Sequence, residues 1–386
     1  MGKQGALFGG IGILVVLLGC IAGISAEYEY ALNYGAELSD IEKELPVSDG
    51  LAWGYYAGSC PTAESIVASR VAAFLKNDGG VAAGLVRVFF HDCFVQGCDA
   101  SILLKRASGS ELNAIPNQTI RPIALQLIND IKTRIEAACP RTVSCADIVV
   151  VAAKQAVTQS GGPSFNVPLG RLDALAFSTQ TTDLPGPSTT FAQQKAIFSE
   201  KGLTDTADLV ALAGAHTLGV AHCGAFSQRI LPTVDPKLNS GYAGYLKANV
   251  CPSPPGSGST GLDFYSPNHF DNQYFKNLPT GGALLQSDQN LDQDSTAWSL
   301  VNQWASNQSA FFTQFVKSFV KMSQISSGKG GEIRLNCSIT NSGKLNVRVE
   351  GEEPHVDLLL TTPTYTRPHT SEPELISMVT EGKADL

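Results

Sequence analysis

The stretch that decides how this chain is read runs from Arg87 to Phe94, RVFFHDCF. It sets a permanent cation four residues before an imidazole, with Asp92 next and a short cysteine loop after it. On a helix, positions i and i+4 share one face, so Arg87 and His91 project toward the same point. An acid–base group beside a fixed positive charge suits a reaction in which one oxygen loses a proton while its neighbour gains negative charge. Cleavage of a peroxide bond is such a reaction.

Outward from this stretch the apolar spacing is helical, with few strand signals. Ile123, Leu127, Ile128, Ile131 and Ile135 recur at helical intervals across 123–138. The span from Ser144 to Ser160 opens with Ser144 as N-cap and Asp147 three residues on, then stops at Gly161, Gly162 and Pro163. In 205–222, Leu209, Leu212, Ala213 and His216 fall at i, i+3, i+4 and i+7, which puts His216 on the buried stripe of a helix. An aromatic-rich helical stretch covers 296–322, with Trp298, Trp304, Phe311, Phe312, Phe315 and Phe319. Pro185 to Ser188 and residues 252–261 read as loops.

The ends differ from the body. Residues 7–24 are almost wholly apolar, follow Lys3 and run into Ser25 and Ala26, so 1–26 is expected to be a secretory signal peptide. An uncleaved anchor is the alternative, because the stretch has about the minimum length for a membrane span. Residues 27–50 form an acidic extension, 51–343 the folded domain, and 344–386 a second acidic extension expected to be disordered or removed. The net charge of −8 belongs to these ends, since 51–343 holds 21 Lys and Arg against 20 Asp and Glu. Such a body lacks the basic excess that nucleic-acid binding requires. No stable membrane span is expected after processing.

Apart from Cys20 in the apolar segment, eight cysteines remain: Cys60, Cys93, Cys98, Cys139, Cys145, Cys223, Cys251 and Cys337. In an oxidising compartment an even set is expected to pair, with roughly a hundred pairings left open by spacing alone. Zinc is the competing reading, and no CxxC pair or close His/Cys grouping supports it.

A histidine on an apolar helix face is more often a hydrogen-bonded core residue than a metal ligand. His216 is not alone, because it lies in DLVALAGAHTLGVAHC (208–223) and is accompanied by RVFFHDCFVQGCDAS (87–101), LDFYSPNHFDNQYF (262–275) and LLQSDQ (284–289). With these segments, in order over about 51–343 and including all eight cysteines, the chain resembles the class III haem peroxidases, the secretory plant peroxidases. The resemblance implies a mostly α-helical peroxidase fold with haem b between a distal and a proximal helical half, and two Ca²⁺ ions. It implies the disulfides Cys60–Cys139, Cys93–Cys98, Cys145–Cys337 and Cys223–Cys251. It also implies a monomeric enzyme that reduces hydrogen peroxide and oxidises phenolic donors in one-electron steps, in cell-wall, lignin or stress metabolism. The expected location is extracellular, with the vacuole as alternative through the C-terminal extension.

Carried onto this chain, the resemblance makes His216 the axial iron ligand, with Asp288 accepting its other ring N–H and tuning the metal. On the opposite haem face His91 is the acid–base group, Arg87 stabilises charge as the O–O bond breaks, Asn117 accepts from His91, and Phe90 packs over the haem. One calcium set is Asp92, Asp99 and Ser101 with the carbonyls of Val95 and Gly97, and Glu111 linked to it through water. The other is Thr217, Asp263, Ser266 and Asp271 with the carbonyl of His269. Oxygen-rich mixed shells of this kind suit Ca²⁺. Pro185 offers a carbonyl to aromatic donors, and Asp147 and Arg171 form an internal ion pair. Of the sequons, Asn117 belongs to the pocket, so Asn307 and Asn336 are the expected glycan sites.

The chain departs from the family pattern at several points. Ser266 stands where threonine is usual, which keeps the hydroxyl. Lys105 and Pro122 differ outside the chemistry. Ile115, Ser188 and Ala225 occupy haem-edge positions where some members carry aromatic rings, so a more open edge is expected. Leu262 stands where another haem-peroxidase class has tryptophan. Two rival functions are a secreted haem- or calcium-binding protein without activity, and a disulfide-stapled wall protein without haem. Neither explains Arg87, His91, Asn117, His216 and Asp288 occurring together.

Overall fold

A computed structural model describes residues 45–105, 110–178, 184–253, 256–343 and 346–348, so the expected signal peptide and most of both acidic extensions lie outside the described residues. Helices α1 (Ala63–Leu75), α2 (Val81–Gln96), α3 (Pro122–Ala138) and α4 (Cys145–Gln159) come first and pack together, with α4 against each of the other three. The central place of α4 follows from its sequence. CADIVVVAAKQAVTQ is apolar around most of its circumference, and a helix of that kind has no face to offer to water.

Its start is built by side chains. Ser144 Oγ accepts from the Asp147 N–H at 3.1 Å, as the sequence predicts. Asp173 adds a carboxylate at the positive helix end, accepting from the N–H groups of Cys145 and Ala146 at 3.0 and 2.8 Å. Helix α3 begins with Pro122 in its first turn and buries Leu127, Ile128, Ile131 and Ile135, the predicted stripe.

The second half is made of shorter pieces. After β1 (Ala176–Ser178) come α5 (Phe191–Glu200) and α6 (Thr206–Ala213), β2 (Val220–His222) and α7 (Cys223–Phe226), then α8 (Ser240–Tyr245) and β3 (Ser259–Gly261). They continue with α9 (Gln273–Asn277), α10 (Gln286–Gln289), α11 (Ser295–Ser306) and α12 (Gln308–Ser323). The strand β2 pairs antiparallel with β3, Ala221 opposite Thr260, so part of the stretch expected to be loop is a strand. The long aromatic helix is also divided, because Asn307 leaves helical geometry and its side chain caps α12 by accepting from the Ala310 N–H.

The folded body extends slightly past 51–343. Gln324 ties down Pro46 and Ser48 through 3.2 and 2.7 Å hydrogen bonds, and β4 (Asn346–Arg348) pairs parallel with β1. Between the two halves lies an aromatic core. Phe89 of α2 stacks on Phe319 of α12 at 4.5 Å, while Phe270, Phe275, Phe311 and Phe315 meet ring to ring. Full burial of each ring contributes about 1.5–3 kcal/mol. The four disulfides pair as the resemblance implies: Cys60–Cys139, Cys93–Cys98, Cys145–Cys337 and Cys223–Cys251. The last staples a separate small core around Phe226, Ile230, Leu246 and Leu284.

Candidate active site

Arg87, Phe90, His91 and Asp92 lie on the last turns of α2, which ends at Gly97. Gly97 has φ +103°, and a Cβ there would lie 2.4 Å from the Ser327 backbone nitrogen. Only glycine lets the cysteine loop turn this tightly under the C-terminal segment. That loop is held further by Cys98 N–H donating to the Ile325 carbonyl at 2.9 Å.

His91 is buried, and its Nδ1 sits 2.5 Å from Asn117 Oδ1. Asn117 cannot present its amide group instead, because its Nδ2 donates to the Glu111 carbonyl at 2.7 Å. The proton of a neutral His91 therefore belongs on Nδ1, and Nε2 carries the lone pair. Arg87 Nε approaches that Nε2 at 3.4 Å, while its Nη groups donate to the carbonyls of Pro116 and Thr119 at 2.7 and 3.2 Å. Burial, then the Arg87 charge, push the His91 pKa down to about 4 against the raising effect of the Asn117 bond. At neutral pH His91 is an uncharged base. Phe90 sits edge-on to it at 5.7 Å.

His216 does not lie on a continuous helix as its spacing suggests. Helix α6 stops at Ala213, and Gly214–Thr217 form a tighter 3₁₀ turn. At Gly214 a Cβ would come within 2.7–2.9 Å of Phe311 and Phe275, and Thr217 is drawn toward Asp271, 3.1 Å away. Apolar periodicity registers neither constraint. Nor is His216 buried among core side chains: its side chain keeps 40% of its accessible surface although protein surrounds it, so it borders an internal space.

His216 Nδ1 lies 2.8 Å from Asp288 Oδ1, and Asp288 also accepts from Tyr274 OH at 3.0 Å. Burial alone would lower the His216 pKa, but Asp288 outweighs it and the net direction is upward, while the Arg87 charge acts against protonation. The Arg87 charge thus lies near enough to act on His216. With Nδ1 committed to a carboxylate, Nε2 is the atom left for a metal, the arrangement that fixes a ligating imidazole. A base and a cation on one wall and such an imidazole on the other fit a haem. Tyr274 had no signal in spacing or period, although it lies within the QYF segment.

Around the cysteine loop, Asp92, Asp99, Ser101 and Glu111 are all buried. Asp92 Oδ2 accepts from the Ala100 N–H at 2.9 Å, and Asp99 Oδ1 from the Ser101 N–H at 3.0 Å. Burial, then Asp99 and Glu111, raise the Asp92 pKa well above the usual carboxylate range; burial pushes Asp99 up to about 6. The Ser101 hydroxyl is buried without a well-formed hydrogen bond. Crowded carboxylates and an orphaned hydroxyl fit a hard cation. Arg334, buried against Asp173, donates to the Ala100 carbonyl at 2.6 Å and anchors this loop to the C-terminal segment, a link with no sequence signal.

The second oxygen set converges as well. Ser266 Oγ lies 2.7 Å from Asp263 Oδ2 and 3.0 Å from Asp271 Oδ2, and Thr217 Oγ1 lies 3.4 Å from both Asp263 Oδ2 and the His269 carbonyl. The loop is seated on Gly161, φ +107°, where a Cβ would fall 2.2 Å from the His269 ring. Among the described residues no three His, Cys, Asp or Glu side chains gather with metal-holding geometry, so both sets depend on hydroxyls and carbonyls beside their carboxylates.

The remaining expected positions are also placed. Asp147 and Arg171 pair at 2.8 Å in the interior. Pro185 is half-buried, Ser188 is exposed, Ala225 and Leu262 are half-buried, and Ile115 is 84% exposed. Asn117 is buried, whereas Asn307 and Asn336 are exposed. His222 is exposed; His355 and His369 lie outside the described residues. Among the described residues no helix is long and apolar enough to cross a membrane. A surface cavity of about 520 Å³ between Phe74, Asp78, Arg121 and Gln126 contains none of the site residues.

A helical body that holds an uncharged base beside a guanidinium, and an imidazole bound to a carboxylate, offers acid–base groups together with a group able to ligate a metal. The peroxidase family model matches residues 67–307. Cationic peroxidase SPC4 of Sorghum bicolor is 46% identical over 308 residues, covering 78% of this chain and 84% of that protein. Peroxidase 12 of Arabidopsis thaliana is 41% identical over 325 residues, 82% and 90% of the two chains, and Peroxidase 1 of Hordeum vulgare is 46% identical over 296 residues, 75% and 92%. The chain belongs to the peroxidase family, among its plant class III members.

Proposed function

We propose that this protein is a secreted haem peroxidase that reduces hydrogen peroxide and oxidises small phenols by one-electron steps, with a role in cell-wall, lignin or stress metabolism. The observation that carries this reading is the pair of histidines with their Nδ1 atoms engaged, His91 by Asn117 and His216 by Asp288, with Arg87 beside the first and its charge acting on the second. When bound, haem supplies an iron centre that accepts two oxidising equivalents from peroxide and passes them on singly. His216 Nε2 would hold that iron, and Asp288 would make the imidazole a stronger donor. His91 Nε2 takes a proton from one peroxide oxygen and delivers it to the departing one, which leaves as water. Arg87 stabilises the negative charge that develops between them. Phe90 limits bulky access, and the exposed Ile115 and Ser188 leave the edge near Pro185 open to flat donors.

The two oxygen sets hold calcium and keep His91 and His216 in register, since Asp92 adjoins His91 and Thr217 adjoins His216. Four disulfides favour an oxidising, extracellular compartment, and residues 1–26 would direct the chain there as its signal peptide. Asn307 and Asn336 carry the glycans. The test is the absorption spectrum of the purified protein before and after one equivalent of hydrogen peroxide. A Soret band that changes with peroxide and recovers on adding guaiacol supports the reading; a Soret band indifferent to peroxide, or no band after haem supply, rejects it.

A further inference from the structure

Four aromatic rings form one assembly at the surface, beside the Asp263 and Ser266 oxygen set. Tyr242 and Tyr245 belong to α8, and Phe264 and Tyr265 to the loop after β3. Phe264 meets all three tyrosines, with centroids 5.6 Å from Tyr242, 5.4 Å from Tyr245 and 5.6 Å from Tyr265. Tyr265 is 74% exposed, Phe264 45% and Tyr245 41%. Aromatic side chains usually bury most of their area, so three neighbouring rings this open mark a contact site. The assembly is not loose, because the Tyr265 N–H donates to Asp263 Oδ1 at 2.9 Å.

We propose that Tyr265, on a platform formed by Phe264 and Tyr245, is a covalent acceptor for phenoxyl radicals, so that the protein becomes joined to phenols it oxidises. This rests on the phenolic-donor reading above. One hydrogen peroxide, reduced to two waters, oxidises two phenols to phenoxyl radicals. One radical takes the hydrogen atom of the Tyr265 hydroxyl, leaving a free phenol and a tyrosyl radical. The tyrosyl radical and a second phenoxyl radical then form one bond at the ring carbon beside the tyrosine oxygen, and the hydrogen of that carbon returns to the oxygen as the ring regains aromaticity. The product is tyrosine plus donor, less two hydrogens.

Two requirements select Tyr265. The hydroxyl must be open to an incoming radical, and the ring must reach a partner. Tyr242 meets neither: its hydroxyl is buried with no hydrogen-bond partner among the described residues, and its ring is covered by Tyr245 and Phe264. Tyr56 and Tyr274 donate to Asp147 and Asp288 but are closed off by burial. Tyr55 is 48% exposed but among the described residues meets a single ring, that of the buried Tyr56. Tyr245 shares the platform but is 41% exposed against 74% for Tyr265, which makes Tyr265 the more open of the two to a phenol stacking there.

The experiment treats the full haem-loaded protein with guaiacol in two arms, one with hydrogen peroxide and one with guaiacol radicals made photochemically without peroxide, and maps adducts by peptide mass spectrometry. The expected result is a guaiacol adduct on Tyr265 in both arms, reduced at least tenfold in that peptide by Tyr265→Phe while guaiacol turnover stays unchanged. An adduct in the photochemical arm alone sustains the acceptor site and rejects the phenolic-donor reading. Equal labelling of Tyr55, unchanged labelling of the peptide in Tyr265→Phe, or no adduct in either arm overturns the proposal.

Discussion

Asn117 Oδ1 lies 2.5 Å from His91 Nδ1, and the asparagine is itself held by the Glu111 carbonyl. A backbone carbonyl thus fixes an amide, and the amide fixes the tautomer of the base. Asn117→Val removes the acceptor without adding charge. The peroxide reaction is expected to slow roughly 10–100-fold with the haem spectrum retained, as for other losses of a supporting hydrogen bond. Rapid-mixing absorbance checks it, and an unchanged rate counts against the tautomer argument.

The low pKa of His91 is expected to set the acid limit of the reaction. Its base form is neutral and predominates above about 4, so the peroxide rate should stay level on going from neutral pH to mildly acidic pH and fall only as the pH drops through about 4. A pH–rate profile with its midpoint near the ordinary histidine value of about 6.5 would contradict the burial and Arg87 effects.

Asp288 is expected to govern the iron through His216. Asp288→Asn keeps the shape but weakens the pull on the Nδ1 proton, so the ferric–ferrous potential should rise and peroxide turnover fall roughly 10–100-fold. Spectroelectrochemical titration reads the potential; a value unmoved by the substitution would show that Asp288 does not tune the metal.

Calcium removal acts on stability through mass action. Calcium held at about 100 times its Kd stabilises the fold by about 2.7 kcal/mol, which for a domain of this size corresponds to several degrees in Tm. Chelation should lower the Tm by that amount and reduce activity in parallel, and Asp263→Asn should make the protein less responsive to added calcium. Scanning calorimetry with and without calcium decides, and identical melting curves would dismiss the two oxygen sets as ligands.

The interior pair Asp147 and Arg171 is a separate test of stability. Asp147 also accepts from Tyr56 OH at 2.6 Å and from the Gly170 N–H at 2.8 Å, and Arg171 donates to the Ser323 carbonyl as well. Asp147→Ala strands a buried guanidinium, with an expected cost of about 3–5 kcal/mol. Urea denaturation measures it, and a loss under about 1 kcal/mol would mean that the surroundings relax around Arg171.

Much of the site was legible because its residues travel together in short segments. Arg87 and His91 needed only the helical repeat, and Ser144 with Asp147 needed only capping chemistry. Other features depend on contacts between distant segments. The turn at Gly214 comes from Phe275 and Phe311, the β2–β3 pairing joins segments some forty residues apart, and Tyr274 reaches Asp288 only in the folded chain. The disulfide pairing was open on spacing alone and was settled by the family likeness. Arg334, which joins Asp173 to the Ala100 carbonyl, is a buried cation between Ile333 and Leu335, and its charge gave no sign of its burial.

The central claim is that His91 moves the peroxide proton. Its most direct test is His91→Leu, mixed rapidly with hydrogen peroxide while the Soret band is followed. Haem should remain bound through His216, and the spectral change should slow by roughly 10²–10⁴-fold or more, the contribution of a positioned acid–base group. A variant that reacts with peroxide as fast as the parent protein would contradict the account.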